Sequence, residues 1–301
     1  MYNAAITNLD GSSNLTSISD NLSIEGNDAL TNLDGLSNLT TISGDLNIGF
    51  NDALTNVDGL SNLTTISGYL NIRNNNALTN VDGLVNLTTI SGELFIANND
   101  ALTNVDGILN LTTISGDLNI GFNNVLTNVD GLLSLTTISG YLNIRNNNAL
   151  TNVNGLLSLT TISGSLYIQY NSALTNCCGI QHLLSNPDSI GGDIEIYNNP
   201  SECSSQSEIL AADCSTSISE KYDDIIEIFP TVSNGVFNIY SNELNTFKPS
   251  DIRVNDSMGR EVEFECYGDI LHIKSQKNGI YFVRFNMGDE NVVLKKLIVV
   301  E

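Results

Sequence analysis

The chain repeats itself every 24 residues. Ala5, Ala29, Ala53, Ala77, Ala101, Val125, Ala149 and Ala173 follow one another at that spacing without slippage. Each opens a unit such as Ala-Leu-Thr-Asn-Leu-Asp-Gly-Leu-Ser-Asn-Leu-Thr-Thr-Ile-Ser-Gly-Asp-Leu-Asn-Ile-Gly-Phe-Asn-Asp, residues 29–52. One column is always asparagine: Asn3, Asn27, Asn51, Asn75, Asn99, Asn123, Asn147, Asn171 and, after one insertion, Asn199. A fixed period in this range belongs to a solenoid, in which one unit cannot bury its apolar side alone and stacked neighbours complete the core.

Within the second unit the apolar columns are Leu30, Leu33, Leu36, Leu39, Ile42, Leu46 and Ile48. Three strand-like pieces are expected in each rung: around Leu30–Leu33, around Leu39–Ser43, and over Asp45–Gly49. The last is the clearest, because Leu46 and Ile48 alternate with Asp45, Asn47 and Gly49 in the period of two that a strand requires. Two glycine columns separate the pieces. One runs from Gly11 and Gly35 to Gly179, the other from Gly44 and Gly68 to Gly192. Positive φ or close backbone approach at corners accounts for such columns. The asparagines follow the best strand, where an inward amide can satisfy corner N–H and C=O groups and stack on its neighbours.

The eighth rung breaks the pattern. It is four residues longer between Asn176 and Ile190, and Ile180–Ser185 reads as a short helix stopped before Pro187. Ser205 with Glu208 reads as a capping box for a second brief helix. Four cysteines, Cys177, Cys178, Cys203 and Cys214, fall in this region and none in the regular rungs. Their spacing fits no zinc pattern, so disulfides in an oxidising compartment are expected, with three pairings open. Residues 173–214 are thus read as a C-terminal cap. Cys266 is left over as a buried thiol, and the isolated His182 and His272 are assigned structural roles.

Residues 1–200 carry only two basic side chains, Arg73 and Arg145, against 17 acidic ones, and the whole chain has a formal charge of −23. Such a surface repels phosphate backbones, which argues against a nucleic-acid partner. No run approaches the ~20 apolar residues of a membrane span. Asn3 already lies on the asparagine column, and Met1–Ala4 has neither a basic nor an apolar signal region. A chain beginning within a rung, truncated of its N-terminal cap and signal peptide, is expected from that phase.

Beyond a linker at 215–221, residues 222–301 lose the repeat. Short alternating stretches such as Val236-Phe-Asn-Ile-Tyr, Asp269-Ile-Leu-His-Ile and Gly279-Ile-Tyr-Phe-Val are separated by turn signals. The fold class expected for the whole chain is therefore all-β: a right-handed parallel β-solenoid of 24-residue rungs over 1–214 with a short helical, disulfide-stapled cap, then a small antiparallel β-sandwich over 222–301.

Two family resemblances follow from these residues. The segment Leu46-x-Ile-x-x-Asn51-x-x-Leu54 resembles a leucine-rich repeat, and with Leu39-Thr-x-Ile-x-Gly44 before it the unit is closer to the receptor L-domain kind of solenoid. That resemblance implies a fold and a binding role but no particular ligand. The C-terminal runs Ile228-Phe-Pro-x-x-Ser-Asn-Gly-x-Phe, Ile252-x-Val-x-Asp-Ser-Met-Gly-Arg, Asn278-Gly-Ile-Tyr-Phe-Val and Lys295-Lys-Leu-Ile-Val resemble the type A sorting domain of type IX secretion, a family of Bacteroidota. It implies export by that machinery and a place outside the cell or on the outer-membrane surface.

Comparing rung with rung isolates one variable face, beside Leu46 and Ile48 and their copies. Tyr69, Asn71, Arg73, Phe95, Tyr141, Asn143, Arg145, Tyr167, Gln169 and Tyr197 lie on it, and the Tyr-Leu-Asn-Ile-Arg rung recurs 72 residues later, the mark of a duplicated block of three. Aromatics and arginine on a rigid sheet suit recognition of a protein or a glycan. A purely structural surface protein is the alternative, and the Thr41/Ser43 columns offer a weaker one, an ice-binding face. The Asp10–Asp130 column reads as solvated carboxylates bonding corner amides rather than as a calcium site. No nucleophile–histidine pair, metal cluster, cofactor motif or phosphate loop appears, so no catalysis, metal or cofactor is expected.

Overall fold

In the computed structural model the described residues are 5–212, 214, 226–229, 232–233, 236–241, 252–256, 262–267, 270–274, 279–288 and 291–299. The linker expected at 215–221 lies outside them. The chain divides into two compact units, Met1–Ala212 and Asp213–Glu301.

The first unit is a solenoid with two parallel sheets. One is made of eight strands, Leu22–Glu25, Leu46–Gly49, Leu70–Arg73, Leu94–Ala97, Leu118–Gly121, Leu142–Arg145, Leu166–Gln169 and Ile194–Tyr197, stacked in chain order. The other has seven strands of two residues each, from Ser17–Ile18 and Thr41–Ile42 to Thr161–Ile162. Each residue pairs with the one 24 later, as in Leu46↔Leu70 and Thr41↔Thr65, until the insertion in the eighth rung sets the last strand 28 later, as in Leu166↔Ile194. Like residues therefore form columns, and Leu30, Leu33, Leu39, Ile42, Leu46, Ile48 and their copies make one continuous buried core.

The strand expected around Leu30–Leu33 does not form as a regular element. Adjacent rungs share single bonds there, such as Thr55 N–H to Thr31 O at 3.1 Å. Asn32 then turns the chain: its Oδ1 accepts from Asp34 N at 3.1 Å and opens a one-turn 3₁₀ helix at Asp34–Leu36, repeated in every rung through Cys178–Ile180. The corner amide is thus bonded by asparagine and not by the aspartate column. Neither glycine column lies at positive φ. What demands glycine is close approach: a Cβ on Gly59 would run into the Leu33 carbonyl, and one on Gly92 would lie 2.8 Å from the Gly68 carbonyl carbon.

The asparagine column binds the rungs together from inside. Asn99 is fully buried; its Oδ1 accepts from Asn75 N at 3.1 Å and its Nδ2 donates to Ile72 O at 3.0 Å. The same two bonds recur from Asn51 to Asn199. The cap continues this order. Asn199 Nδ2 also donates to Cys203 O at 3.0 Å, and Cys203 is disulfide-bonded to Cys177 with a Cα separation of 5.7 Å. Cys178 and Cys214 are disulfide-bonded as well. The helices are Gln181–Ser185 and Gln206–Ala211, tied by Gln181 Nε2 donating to Ile209 O and Ala212 O. Ser205 caps the second, accepting from Glu208 N at 3.3 Å. His182 is exposed, with Nε2 2.6 Å from Leu159 O.

The second unit has two four-stranded sheets. Ile226–Phe229, Val236–Ser241, Ile270–Ile273 and Phe264–Tyr267 pair antiparallel in one. Asn291–Val299, Gly279–Gly288 and Ile252–Asp256 do so in the other, with Val232–Ser233 added parallel to the first of these. Ile252 and Val254, Leu271 and Ile273, Tyr281 and Val283 are buried alternately along their strands. Cys266 is half-buried rather than buried, because it sits on a short strand whose described neighbours are also partly exposed.

Two predictions follow from the columns. Replacing Asn99 with alanine strands the Asn75 N–H and the Ile72 carbonyl contact inside the core, at about 1–3 kcal/mol for each buried group. Urea unfolding should show a loss of about 3–5 kcal/mol, and hydrogen exchange should accelerate at Asn75. In the aspartate column, burial first, and then the charges of Asp106 and Asp58, raise the Asp82 carboxyl above its ordinary value of 3.8. A raised folded value means that ionisation opposes folding, so the penalty is complete above that value and absent below 3.8. Asp82→Asn should raise the melting temperature by about 1–3 °C at pH 7 and by nothing once the pH falls below the ordinary value.

Candidate recognition face

The outward columns of the eight-stranded sheet gather the residues that vary between rungs. Tyr69, Tyr197 and Arg145 are exposed there, while Phe95, Tyr141, Tyr167, Arg73, Asn71 and Asn143 are half-buried. Gln169 differs from the rest: it is 7% exposed and its Nε2 donates to Glu195 Oε2 at 2.9 Å, so it supports the face from beneath.

Hydrogen bonds between rungs fix these side chains. Asn47 Nδ2 donates to the Tyr69 hydroxyl at 3.0 Å, and Asn71 Nδ2 to Asn47 Oδ1 at 3.0 Å. The second copy of the block repeats both bonds at the same length, from Asn119 to Tyr141 and from Asn143 to Asn119. Tyr141 and Tyr167 meet edge to face with ring centroids 6.1 Å apart. Asn71 Oδ1 and Asn143 Oδ1, at the end of each pair, are buried acceptors without a hydrogen-bond partner among the described residues.

Sequence reasoning missed three aromatics at the edge of this face. The corner residue after each long strand has a left-handed backbone: Gly26, Phe50, Asn74, Asn98, Phe122, Asn146, Tyr170 and Asn198 all have φ between 54° and 68°. Glycine and asparagine tolerate that conformation, whereas a bulky residue there is an outlier costing about 1–2 kcal/mol. Phe50, Phe122 and Tyr170 nonetheless occupy it. Phe122 and Tyr170 are exposed, at 40% and 48%. The Arg73 guanidinium lies over the Phe50 ring at 5.0 Å, and that of Arg145 over Phe122 at 5.4 Å. Tyr170 meets Tyr197 edge to face at 5.7 Å. The signal was present in the sequence as a column alternating between Gly or Asn and an aromatic residue.

Comparison with known protein families gives two matches. The receptor L domain model matches residues 40–107 and 110–213, together more than half of the chain, and the secretion system C-terminal sorting domain model matches residues 227–300. The chain belongs to the receptor L domain family and ends in a type IX secretion sorting domain. It is an exported protein addressed to the cell surface or outer membrane. No curated protein matches it. Among the described residues, no helix is long and apolar enough to cross a membrane.

If Phe50 and Phe122 are held at strained corners for recognition, relieving the strain should stabilise the fold. Asparagine at either position recovers about 1–2 kcal/mol of backbone strain and gives up about 0.5–1 kcal/mol of cation–π contact. Phe50→Asn and Phe122→Asn should each unfold at a temperature equal to or up to about 3 °C above the parent chain in a thermal melt.

Proposed function

We propose that this is a non-enzymatic surface protein that binds or adheres, its solenoid recognising a protein or glycan through the outer face of the eight-stranded sheet. The observation that supports this reading most is the placing of Phe50, Phe122 and Tyr170 at left-handed corners where the other rungs carry glycine or asparagine. Strain of that kind gathers at functional sites. Together with Tyr69, Tyr141, Tyr197 and the two arginines, these residues give an aromatic and cationic surface on an otherwise acidic solenoid, the composition favoured at binding hot spots. The sheet beneath is rigid and largely pre-formed, so little ordering entropy opposes binding. In this reading the C-terminal unit serves the type IX machinery and takes no part in ligand binding.

The test is a screen of the full chain against a glycan array and surface-protein panels, repeated with Tyr69, Tyr141 and Tyr167 all changed to serine. A ligand whose affinity falls about tenfold or more in the folded triple variant supports the face as the binding surface. Retention of full affinity would remove it, and absence of any ligand would favour a purely structural role.

A further inference from the structure

The two copies of the three-rung block share their Asn–Tyr, Asn–Asn and Arg–aromatic contacts but differ in their first rung, where Asn119 Nδ2 of the second copy also donates to Glu93 Oε1 at 2.6 Å, and in the column at the end of the strands. In the first copy the end-of-strand column reads Glu25, Gly49, Arg73, and in the second Ala97, Gly121, Arg145, each set in register across neighbouring strands. Glycine in the middle leaves the surface open between the outer two residues. In the first copy Glu25 reaches across that opening. Its Oε1 lies 3.4 Å from an Arg73 guanidinium nitrogen and would lie 3.3 Å from a Cβ placed on Gly49. The first copy therefore carries its own carboxylate above the glycine and against the arginine.

In the second copy Ala97 cannot reach, and no carboxylate stands over Gly121. The space is a hollow of about 200 Å³ bounded by Phe95, Phe122, Arg145, Asn119 and Asn143. Among the described residues Arg145 has no carboxylate within ion-pairing distance; only the Phe122 ring holds its guanidinium. The middle column also differs, with Phe95 where the first copy has Ser23, so the open copy gains an aromatic wall. The hollow is smaller than the ~300–1,000 Å³ of a whole small-molecule pocket, which suits one unit of a longer ligand.

We propose that the hollow over Gly121 is a subsite for a single hexuronate unit of an otherwise neutral glycan, because Arg145 offers one cation on a solenoid whose acidic surface repels a polyanion. The carboxylate takes the place that Glu25 fills in the first copy and pairs with Arg145, while the sugar ring lies against Phe95 and Phe122. Two aromatic walls around a ring-sized hollow favour a sugar acid over an acidic peptide side chain, whose thin stem would leave them uncovered. This subsite rests on the reading of the outer face as a recognition surface but asks for more, namely a charged group at one named position.

The experiment titrates the full chain calorimetrically with a neutral tetrasaccharide carrying one glucuronate, with its methyl ester and with a peptide carrying one glutamate. The acid should bind one per chain, and the ester about tenfold or more weaker, because it keeps the ring and loses the charge-assisted bond. Arg145→Met and Ala97→Glu should each bring the acid down to the ester's level, the second by supplying the missing internal carboxylate. Lys274→Met, a cation removed from the C-terminal unit, should leave binding unchanged. Equal affinity for acid and ester, undiminished binding by folded Ala97→Glu, or no binding of the acid would overturn the proposal. Binding of the peptide through Arg145 without the sugar acid would also do so. A different ligand that depends on Tyr69, Tyr141 and Tyr167 but is indifferent to Ala97→Glu would leave the recognition face standing and remove only this subsite.

Discussion

The buried amide ladder is what the rest of the solenoid depends on. A rung of 24 residues must turn sharply after its longest strand, and the turn leaves an N–H and a carbonyl pointing into an apolar core. Unpaired, such groups would oppose folding strongly. Asparagine is the residue that can serve both, since one side chain offers an acceptor and two donors on a short stem. With the corner thus satisfied, leucine and isoleucine columns fill the interior, and glycine columns let successive rungs approach closely. The fold is carried by columns that point inward or lie at corners. That leaves the outward positions of the long strands able to change from rung to rung without disturbing the stack.

Most of this architecture was legible in the sequence because a repeat displays its own constraints. Leu46, Ile48 and Asn51 recur at one spacing, so strand, core and ladder could be read together. The strand expected over Leu30–Leu33 failed for a local reason: Asn32 bonds the Asp34 amide and starts the one-turn helix at Asp34–Leu36, which leaves too short an extended piece for a regular ladder. The glycine columns pointed to the right places for one of the two reasons offered, close approach, while the left-handed corner lay elsewhere, at Phe50 and its equivalents. Backbone conformation at a single residue leaves no hydropathy signal, so those aromatics were passed over. Disulfide connectivity required the folded cap. The strand Phe264–Tyr267 was too short and too mixed in character to stand out.

The candidate face illustrates how duplication and divergence share the work. Copying a three-rung block copied a tyrosine, two asparagines, a phenylalanine and an arginine as a bonded set. A later difference of a few residues, Glu25 against Ala97 and Ser23 against Phe95, gives the two copies opposite characters: one closed on itself and one open. In a solenoid such a change is local, because each rung touches only its neighbours.

The ladder also has a direction. Every asparagine side chain serves the backbone of the rung before it, as Asn99 serves Asn75 and Ile72, so a rung is finished only by its successor. The dependence passes along the chain until Asn199, which serves Asn171 and Ile168 and is itself braced by the disulfide-held cap at Cys203. The two ends of the stack are therefore unlike. Units can be added or exchanged within it, each bringing the amide that the one before it needs, but the debt of the final rung always falls on the cap. For a chain that emerges from its N-terminus, the solenoid is sealed last, at its C-terminal cap, and every earlier rung is provisional until the next one has arrived.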